Sequence, residues 1–328
     1  MKAIVCTRLG LPRLARYKDV PQPVPGDGQV LIEVHASSVT FSNLFLFMKR
    51  WWPFRLALGG QLIPKSGIPG TDVTGRVAAL GKNASKFKAG DAVYGDLSSA
   101  GKGALAEYVC APESILAPKP ANLSFEEAAA VPESALVALR GLRDKGQVQK
   151  GQKVLVYGAS GGIGTFAVQI AKHLGAEVTG VCSTRNVDLV RSLGADRVID
   201  YTKEDFTRSG ERYDLVFAAR NTRPVSEIGR VLGPGGVYVS TMGPSITRGF
   251  QEFFIGPRAL KKQGKRVSVI DVDYDWGDLV LIKELIEAGR VRPVIDRRYP
   301  LSQAPEAFRY YGGGHARGKV VISVRPDG

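Results

Sequence analysis

The feature that most constrains how this chain can fold is a glycine-rich turn, GASGGIG, at residues 158–164. An apolar run from Val154 to Tyr157 precedes the turn and has the character of a strand that is buried on both faces. Apolar residues then recur at helical spacing until Gly175, and a second apolar run extends from Glu177 to Val181. Strand, glycine turn, helix and strand in this order form a βαβ unit that suits a bound dinucleotide.

The chemistry of the turn explains this prediction. Glycine lets the backbone turn sharply and lets a pyrophosphate approach without meeting a Cβ. The N–H groups and the positive dipole end of the following helix then face the phosphates. The spacing is G-x-x-G-x-x-G, one residue longer than the common fingerprint, but the strand and helix that the motif requires are both predicted. The predicted cofactor-binding residues of the turn are Gly158, Ala159, Ser160, Gly161, Gly162, Ile163 and Gly164.

The end of the second strand indicates which dinucleotide binds. Units that bind NAD usually place an acidic residue about twenty positions past the glycines, where it binds the ribose 2′-OH. This chain has Ser183, Thr184 and Arg185 there and no acid before Asp188. Because a hydroxyl and a guanidinium can bind a 2′-phosphate, we predict NADPH, held by Ser183 and Arg185. In the alternative interpretation Ser183 caps the next helix and Arg185 is solvated.

The pattern of elements changes near residue 122. Before it, short strands alternate with Gly, Pro and Asp turns, which is typical of a small β-barrel-like domain. After it, helices alternate with strands as in a doubly wound parallel sheet, so the predicted fold class is α/β. The predicted later elements are a helix over Phe125–Ala130 with the capping pair Ser124 and Glu127, strands at Arg197–Ile199, Tyr213–Phe217, Gly236–Ser240 and Arg266–Ile270, a helix over Pro305–Tyr311 and a strand at Lys319–Val324.

Several stretches together resemble one family: GTDVTGRVAALG, FKAGDAVYG, ALAEYV, FEEAAAVP, the glycine turn with its flanking elements, SLGADRVIDY and GHARGKVVI. On these stretches the sequence resembles the medium-chain dehydrogenase/reductase superfamily, in its zinc-independent quinone oxidoreductase (zeta-crystallin-like) branch. The resemblance implies a GroES-like β-barrel catalytic domain at residues 1–121, a doubly wound Rossmann domain at 122–291 and a segment, 292–328, that returns to the first domain. It also implies a cleft between the domains, a homodimer joined through Rossmann sheet edges, and Tyr201 as a contact of the adenosine 2′-phosphate.

The resemblance also bears on metal binding. The alcohol dehydrogenase branch has Gly-His-Glu where this chain has Gly70, Thr71 and Asp72, and a zinc-binding cysteine where Thr40 stands. Its four-cysteine structural zinc loop has no counterpart near Gly95–Lys102. Because zinc needs three or four Cys, His or carboxylate ligands held together, no metal site is predicted.

Departures from the branch affect the predicted chemistry. Its members commonly have a polar Tyr or Lys near the substrate where this chain has Phe45. Without an obvious general acid, an acceptor that takes hydride and obtains its proton from water is the easier substrate, which favours quinones and activated enones. Asn43, Glu133 and Ser134 are weak candidates for orienting the acceptor carbonyl, with surface or packing roles as the alternative.

Residues 41–60 are rich in aromatic and basic side chains. The aromatic residues could fill the core of the first domain. They could instead form an apolar wall or lid for a hydrophobic acceptor and rest on a membrane. Under the second interpretation, the substrate pocket is formed by Thr40, Asn43, Phe45, Trp51 and Trp52.

The net charge of +14 suggests which partners the surface can attract. It would draw the phosphates of NADPH toward the protein, and it could also hold the protein at an anionic membrane or bind nucleic acid weakly, with a solvated basic surface as the default interpretation. No aromatic-basic motif for nucleic acid is visible, so nucleic acid is not an expected partner. Cys6, Cys110 and Cys182 lie far apart and no leader precedes the first strand, which suits a reducing cytoplasm.

These observations lead to one predicted function and one alternative. The predicted function is a zinc-independent, NADPH-dependent reductase that transfers hydride to a quinone or an α,β-unsaturated carbonyl. The alternative is an NADPH-binding protein of low turnover that acts at a membrane surface or on RNA.

Overall fold

The structure is a computed structural model of the 328-residue chain, and it describes residues 1–6, 15–45, 67–101, 103–220, 222–241, 256–270 and 275–325. The chain forms two compact units. Unit 1 comprises Met1–Leu136, Val272–Gly289 and Pro293–Gly328, and unit 2 comprises Val137–Asp271 and Arg290–Arg292.

The described strands, in chain order, are β1 (Lys2–Cys6), β2 (Ala15–Asp19), β3 (Gln29–Val39), β4 (Asp72–Leu80), β5 (Ala92–Asp96), β6 (Tyr108–Pro112), β7 (Leu116–Pro118), β8 (Lys153–Tyr157), β9 (Glu177–Cys182), β10 (Arg197–Asp200), β11 (Tyr213–Ala218), β12 (Leu232–Ser240), β13 (Arg266–Val269), β14 (Ile295–Pro300) and β15 (Lys319–Ser323). The described α-helices are α1 (Phe41–Phe45), α2 (Phe125–Ala129), α3 (Pro132–Arg140), α4 (Gly162–His173), α5 (Val187–Ser192), α6 (Val225–Val231), α7 (Gly256–Lys261), α8 (Trp276–Glu287) and α9 (Ala304–Gly312).

Unit 1 is built on a sheet that, within the described residues, has seven strands in the order β14-β15-β3-β4-β5-β7, with β6 also paired to β3. β14 runs parallel to β15 and the other pairs are antiparallel. β3 shifts register against β4 at two points. Such irregularities bend a strand, and β3 accordingly pairs with β6 at one end and with β15 at the other. The β-rich first part predicted from the turns is therefore observed.

The compact units extend unit 1 beyond the predicted boundary at residue 121. The segment that contains α2 belongs to unit 1 because of its packing. Ala129 and Ala130, at the end of this helix, pack with Ala36 of β3 and Val321 of β15. The helix begins with the predicted capping box, in which Ser124 and Glu127 satisfy each other's backbone N–H groups. α8 also belongs to unit 1, where the hydroxyl of Tyr94 donates to the carbonyl oxygen of Leu279 at 2.6 Å.

Unit 2 contains a six-stranded sheet, counted over its described residues, in the order β10-β9-β8-β11-β12-β13. Every pair in it is parallel. The run from Val154 to Tyr157 is fully or almost fully buried, as the continuous apolar pattern predicted. β9 and β10 lie on one side of β8, whereas β11, β12 and β13 lie on the other. The order therefore reverses between β8 and β11, and ligands of such sheets bind beyond the carboxyl ends of the strands at this point.

None of the helices that the structure describes has the length and apolar character needed to span a lipid bilayer.

The edge position of β13 makes the predicted dimer testable. The amide of Ile270 donates to the carbonyl oxygen of Ser240 at 3.2 Å, so it faces β12. Because alternate residues of a strand face the same side, the amide of Ser268 also faces β12 and those of Val267 and Val269 face outward. We therefore expect Val269→Pro to remove an outward donor and weaken self-association through this edge, while leaving the pairing with β12 in place.

Sedimentation velocity at micromolar concentrations measures this effect. Tyr17→Ala, which changes an exposed side chain of β2 in unit 1, is the control and should leave the sedimentation coefficient unchanged. A wild-type monomer, or a dimer that the proline leaves intact, would contradict pairing through β13.

Candidate functional site

The glycine turn of unit 2 has the geometry of a phosphate cradle. Gly158 follows β8 with a φ of +85°, a conformation that favours glycine. A Cβ on Gly164 would lie 2.1 Å from the carbonyl oxygen of Gly158, so this close approach of helix and turn also requires glycine. α4 begins at Gly162, and no side chain caps it at Gly161. Its first N–H groups therefore lack intrahelical partners and can bind an anion.

Arg220 lies beside this turn at the reversal of the sheet order. It lies two residues after the end of β11, and its amide donates to the carbonyl oxygen of Tyr157 at 3.1 Å. Its Cβ would lie 2.8 Å from a Cβ built on Gly158. The residue is exposed. The structure thus adds a basic residue to the cradle that the sequence analysis did not identify.

Asn186 connects the glycine turn to the end of β9. Its Nδ2 donates to Ser160 Oγ at 2.9 Å and to Ser183 Oγ at 3.1 Å. Asn186 is buried, and its Oδ1 has no hydrogen-bond partner among the described residues. Ser183 begins a short 3₁₀ turn, but its side chain makes no capping hydrogen bond there. Its hydroxyl therefore accepts from Asn186, and its own proton remains available for a ligand oxygen.

The residues predicted to read the 2′-phosphate lie at adjacent strand ends. Ser183 and Arg185 follow β9, and Tyr201 follows β10, which pairs with β9 in parallel. The amide of Tyr201 donates to the carbonyl oxygen of Cys182 at 3.0 Å, and its side chain is 51% exposed. The structure thus brings these three predicted residues to one edge of the sheet.

A carboxylate that the sequence analysis did not identify, Asp200, shares this edge. Its Oδ2 accepts from the hydroxyl of Thr184 at 2.6 Å, and its Oδ1 accepts from Thr202. The hydrogen bond from Thr184 is the largest of the effects that lower its pKa. Lys203 lies 3.8 Å from the same carboxylate and offsets part of its charge. Both oxygens of Asp200 are therefore engaged by local donors.

A second polar centre lies in unit 1, where three buried carboxyl groups come together. Asp72 begins β4, Asp96 ends β5 and Glu133 lies in the first turn of α3. One oxygen from each lies within 4.8 Å of the others. We refer to these three residues as the carboxyl cluster.

Asp72 is the ion-paired member of the carboxyl cluster. Lys319 Nζ lies 3.0 Å from its Oδ2 and also donates to Ser134 Oγ at 3.1 Å. The backbone amide of Glu133 donates to its Oδ1 at 2.8 Å, and the hydroxyl of Ser38 donates to Oδ2. Asp72 is thus held by one cation and two neutral donors.

Glu133 and Asp96 are held by hydroxyl and amide groups. The hydroxyl of Ser42 donates to Glu133 Oε1 and that of Thr71 to Oε2, both at 2.9 Å. Asp96 Oδ1 accepts from the amide and hydroxyl of Ser98, whereas Oδ2 is buried and has no partner among the described residues.

Burial decides the protonation of these two groups. Desolvation raises the pKa of Asp96 well above its ordinary value, and the nearby carboxylates of Glu133 and Asp72 raise it further. Desolvation and Asp72 also raise the pKa of Glu133, against the opposing effect of Lys319 and of two threonine hydroxyls. The pair therefore retains a proton to higher pH than exposed carboxyl groups do.

Thr40 and Asn43 adjoin the carboxyl cluster. Thr40 Oγ1 lies 3.1 Å from Thr71 Oγ1, so the chain of hydrogen bonds from Glu133 continues to it. Asn43 Oδ1 accepts from the amide of Thr40 at 3.3 Å. Asn43 Nδ2 is buried and has no partner among the described residues.

The carboxyl cluster does not suit zinc. Its donors are three hard carboxylates with no Cys or His, whereas zinc sites in proteins are usually rich in these two residues. Lys319 already places a positive charge against Asp72, and both oxygens of Glu133 accept from hydroxyls. Thr40 and Thr71, which stand where the alcohol dehydrogenase branch has zinc ligands, contribute neutral hydroxyls.

The structure describes the surroundings of only some of the predicted substrate residues. Asn43, Glu133, Ser134 and Thr40 lie in or beside the carboxyl cluster and are buried, which excludes the surface roles considered for the first three. Phe45 ends α1, but its side chain lies outside the described residues, as do Trp51 and Trp52 with the rest of the predicted lid.

For three candidate residues of the two sites, the contacts with other parts of the chain could not be predicted from the sequence alone. Asp96, Lys319 and Asn186 are polar residues at or just after a strand, which gave a weak indication at most. Their significance appears only when distant strands meet, since Lys319 and Asp72 are 247 positions apart.

Comparison with known proteins adds a further finding. A model described as "Alcohol dehydrogenase GroES-like domain" matches residues 26–121, and one described as "Zinc-binding dehydrogenase" matches residues 193–322. The chain is 32% identical to the chloroplast envelope quinone oxidoreductase homolog of Arabidopsis thaliana, over 93% of each chain. It is 33% identical to the 2-methylene-furan-3-one reductase of Solanum lycopersicum, over 94% of this chain and 75% of the relative. The solved quinone oxidoreductase of Coxiella burnetii matches 99% of each chain with a TM-score of 0.87 and 29% identity.

The raised pKa of Asp96 makes its stability effect depend on pH. In the unfolded chain this carboxyl loses its proton near its ordinary pKa of 3.8, whereas the folded protein keeps the proton to higher pH. The free energy of unfolding should therefore fall as pH rises between these two pKa values, by about 1.4 kcal/mol per unit. We expect Asp96→Asn to remove this loss, so that the variant gains in melting temperature over the wild type from pH 4 to pH 8.

Thermal melts across this pH range measure the effect. Asp188→Asn, which changes a fully exposed side chain of α5, provides the control for the same change of charge. A constant difference between Asp96→Asn and the wild type at every pH would contradict the buried protonated state.

Proposed function

The chain belongs to the medium-chain dehydrogenase/reductase superfamily, among its quinone oxidoreductases, and we propose that it is a zinc-independent reductase that transfers hydride from NADPH to a quinone or an α,β-unsaturated carbonyl. The names of two relatives support the acceptor class, since one is a quinone oxidoreductase homolog and the other reduces a 2-methylene-furan-3-one. The cofactor class follows from the glycine cradle in unit 2.

The observation that carries the proposal is the cradle with its neighbouring strand end. Uncapped N–H groups at the start of α4 suit the pyrophosphate. Ser183, Arg185 and Tyr201 at the ends of β9 and β10 suit a 2′-phosphate. The carboxylate that shares this edge, Asp200, is engaged by Thr184 and Thr202, which reduces its competition with an anionic ligand.

In unit 1, Asn43 supports the binding of a carbonyl. Its Nδ2 has no partner among the residues that the structure describes. A buried N–H donor without a partner costs about 1–3 kcal/mol, and a ligand oxygen can recover this free energy. The amide is fixed, because its oxygen accepts from the backbone of Thr40. The bound cofactor supplies the hydride, and we propose that Asn43 Nδ2 donates to the acceptor oxygen and orients it.

Steady-state oxidation of NADPH with a panel of quinones and enones tests the proposal. Turnover that requires one of these acceptors supports it. Tight NADPH binding with no turnover of any acceptor, together with binding to anionic vesicles or RNA, would favour the alternative of a low-turnover NADPH-binding protein.

Removing the guanidinium of Arg185 should change cofactor preference. We expect the wild type to bind NADPH at least about tenfold more tightly than NADH, equivalent to about 1.4 kcal/mol. Arg185→Ala should remove most of this preference and leave NADH binding nearly unchanged, because NADH has no 2′-phosphate. Titration of each cofactor by fluorescence provides the dissociation constants.

Arg191→Ala is the matched control, since it removes the same charge from a side chain that is 64% exposed in α5. Both cofactors should bind this variant as they bind the wild type. Equal affinity of the wild type for NADPH and NADH would refute the assignment.

The proposed independence from zinc is tested by metal analysis. The purified protein should contain no stoichiometric zinc, and its reductase activity should survive prolonged dialysis against a chelator, because hydroxyls engage both oxygens of Glu133 and Lys319 is paired with Asp72. Loss of activity on chelation, restored by added zinc, would reverse this conclusion.

A further inference from the structure

The carboxyl cluster contains three carboxyl groups and is paired with one lysine, Lys319. Asp72 is paired with Lys319 at 3.0 Å. Asp96 and Glu133 adjoin this pair, and their own hydrogen-bond partners are the neutral hydroxyl and amide groups of Ser42, Thr71 and Ser98. Two ionised carboxylates this close in a buried site repel each other strongly, so such pairs retain a proton.

The unpartnered oxygen of Asp96 fits this interpretation. Asp96 Oδ2 is buried without a partner among the described residues, although Oδ1 accepts twice from Ser98. A protonated carboxyl has an O–H to donate and one fewer charge to solvate, so it tolerates such a position better than a carboxylate does. Burial and the neighbouring carboxylates raise the pKa of both Asp96 and Glu133, which agrees with a shared proton.

A route leads from Glu133 toward the acceptor. Glu133 Oε1 lies 2.9 Å from the hydroxyl of Ser42, and Ser42 is more exposed than Glu133. Ser42 precedes Asn43 in α1, and Asn43 Nδ2, which has no partner among the described residues, is the proposed carbonyl donor. When Glu133 is protonated, its O–H can donate to Ser42 Oγ in place of accepting from it. Ser42 can then release its own proton on the other side, and so pass a proton from the carboxyl to a bound oxygen.

We propose that Glu133 supplies, through the hydroxyl of Ser42, the proton that completes the reduction of an α,β-unsaturated carbonyl, and that Asp96 shares this proton with it. The inference rests on the proposed function, and it assigns a proton source where the sequence indicated none. Ser42 is the group that touches the acceptor, and Glu133 acts through it.

The β-carbon of the enone gains a hydride, with two electrons, from the reduced nicotinamide, which becomes the oxidised pyridinium. The electrons of the carbon–carbon double bond move toward the carbonyl and form an enolate. The enolate oxygen takes the proton of Ser42, Ser42 takes the proton of Glu133, and the resulting carboxylate regains a proton from water. The enol product then tautomerises to the saturated ketone.

Quinones should depend less on this acid. Hydride addition to a quinone produces an aromatic hydroquinone anion, and the gain of aromaticity makes this step favourable without a proton donor, so the anion can take its proton from water afterwards. A variant without the acid should therefore lose enone reduction selectively, whereas a variant with a distorted site should lose both reactions.

The decisive variant is Glu133→Gln, which keeps one acceptor oxygen, replaces the other by an NH2 group and removes the acidic proton. We expect turnover of an enone to fall by about 100- to 10,000-fold, while turnover of a quinone such as menadione changes by less than about fivefold. The dissociation constant of NADPH should stay unchanged. Glu306→Gln, at an exposed position of α9, is the control and should match the wild type with both acceptors.

The pH profile gives an independent readout. With the wild type, enone turnover should fall as pH rises through the raised pKa of the acid, because the donor must be protonated. The charged groups that face Glu133 and set this pKa are Asp72 on β4, Asp96 on β5 and Lys319 on β15. Glu133→Gln should lack this fall with enones.

Ser42→Ala keeps the test decisive if Glu133→Gln does not fold, as judged by its thermal melt. It removes the hydroxyl of the route and leaves the carboxyl cluster in place, and it should lower enone turnover selectively. Equal loss of both reactions in folded variants, or unchanged enone turnover, would overturn the inference. A wild type that reduces neither acceptor would instead refute the proposed function itself.

Discussion

The buried ion pair between Asp72 and Lys319 is the interaction on which the arrangement of unit 1 depends most. It joins β4 to β15, and the two side chains are 0% and 2% exposed. Such a pair is not strong evidence for net stability, but removing one partner typically costs about 3–5 kcal/mol because the other charge stays buried. Asp72 also accepts from Ser38 and from the backbone of Glu133, so strands from three parts of the sequence and the start of α3 are fixed around one carboxylate.

The two units handle charge in opposite ways. In unit 2 the protein presents backbone N–H groups and basic side chains, which suit the permanent negative charges of a dinucleotide. In unit 1 it buries three carboxyl groups beside one lysine. The pKa values of Asp96 and Glu133 are raised there, so this pair lowers its negative charge by retaining a proton. The first site selects a ligand by its charge. In the proposed reaction the second would supply the proton, so this division would correspond to the two components of the reduction, hydride and proton.

The sequence predicted the parts whose cause is local. The glycine turn, the capping box at Ser124 and Glu127, and the parallel strands around β8 each follow from residues that are neighbours in the chain. The carboxyl cluster has no such local pattern, because Asp96, Glu133 and Lys319 lie on separate elements that meet only in the folded sheet. Glu133 and Asn43 could be named as candidates from their positions, but Phe45 alone gave no indication of the proton source that is proposed above. The raised pKa of Glu133 depends on neighbours that no sequence window contains.

The double hydrogen bond of Asn186 has a consequence for protein engineering. Its amide group donates both to Ser160 of the phosphate turn and to Ser183 at the strand end. These hydrogen bonds connect the part that would hold the pyrophosphate with the part that would select the cofactor. Replacing Ser183 by an acid, the direct way to recruit the less expensive NADH, would also change the partner of Asn186 and disturb the turn. A successful exchange of cofactor would therefore need position 186 to be redesigned together with position 183, and a screen of single substitutions would miss it.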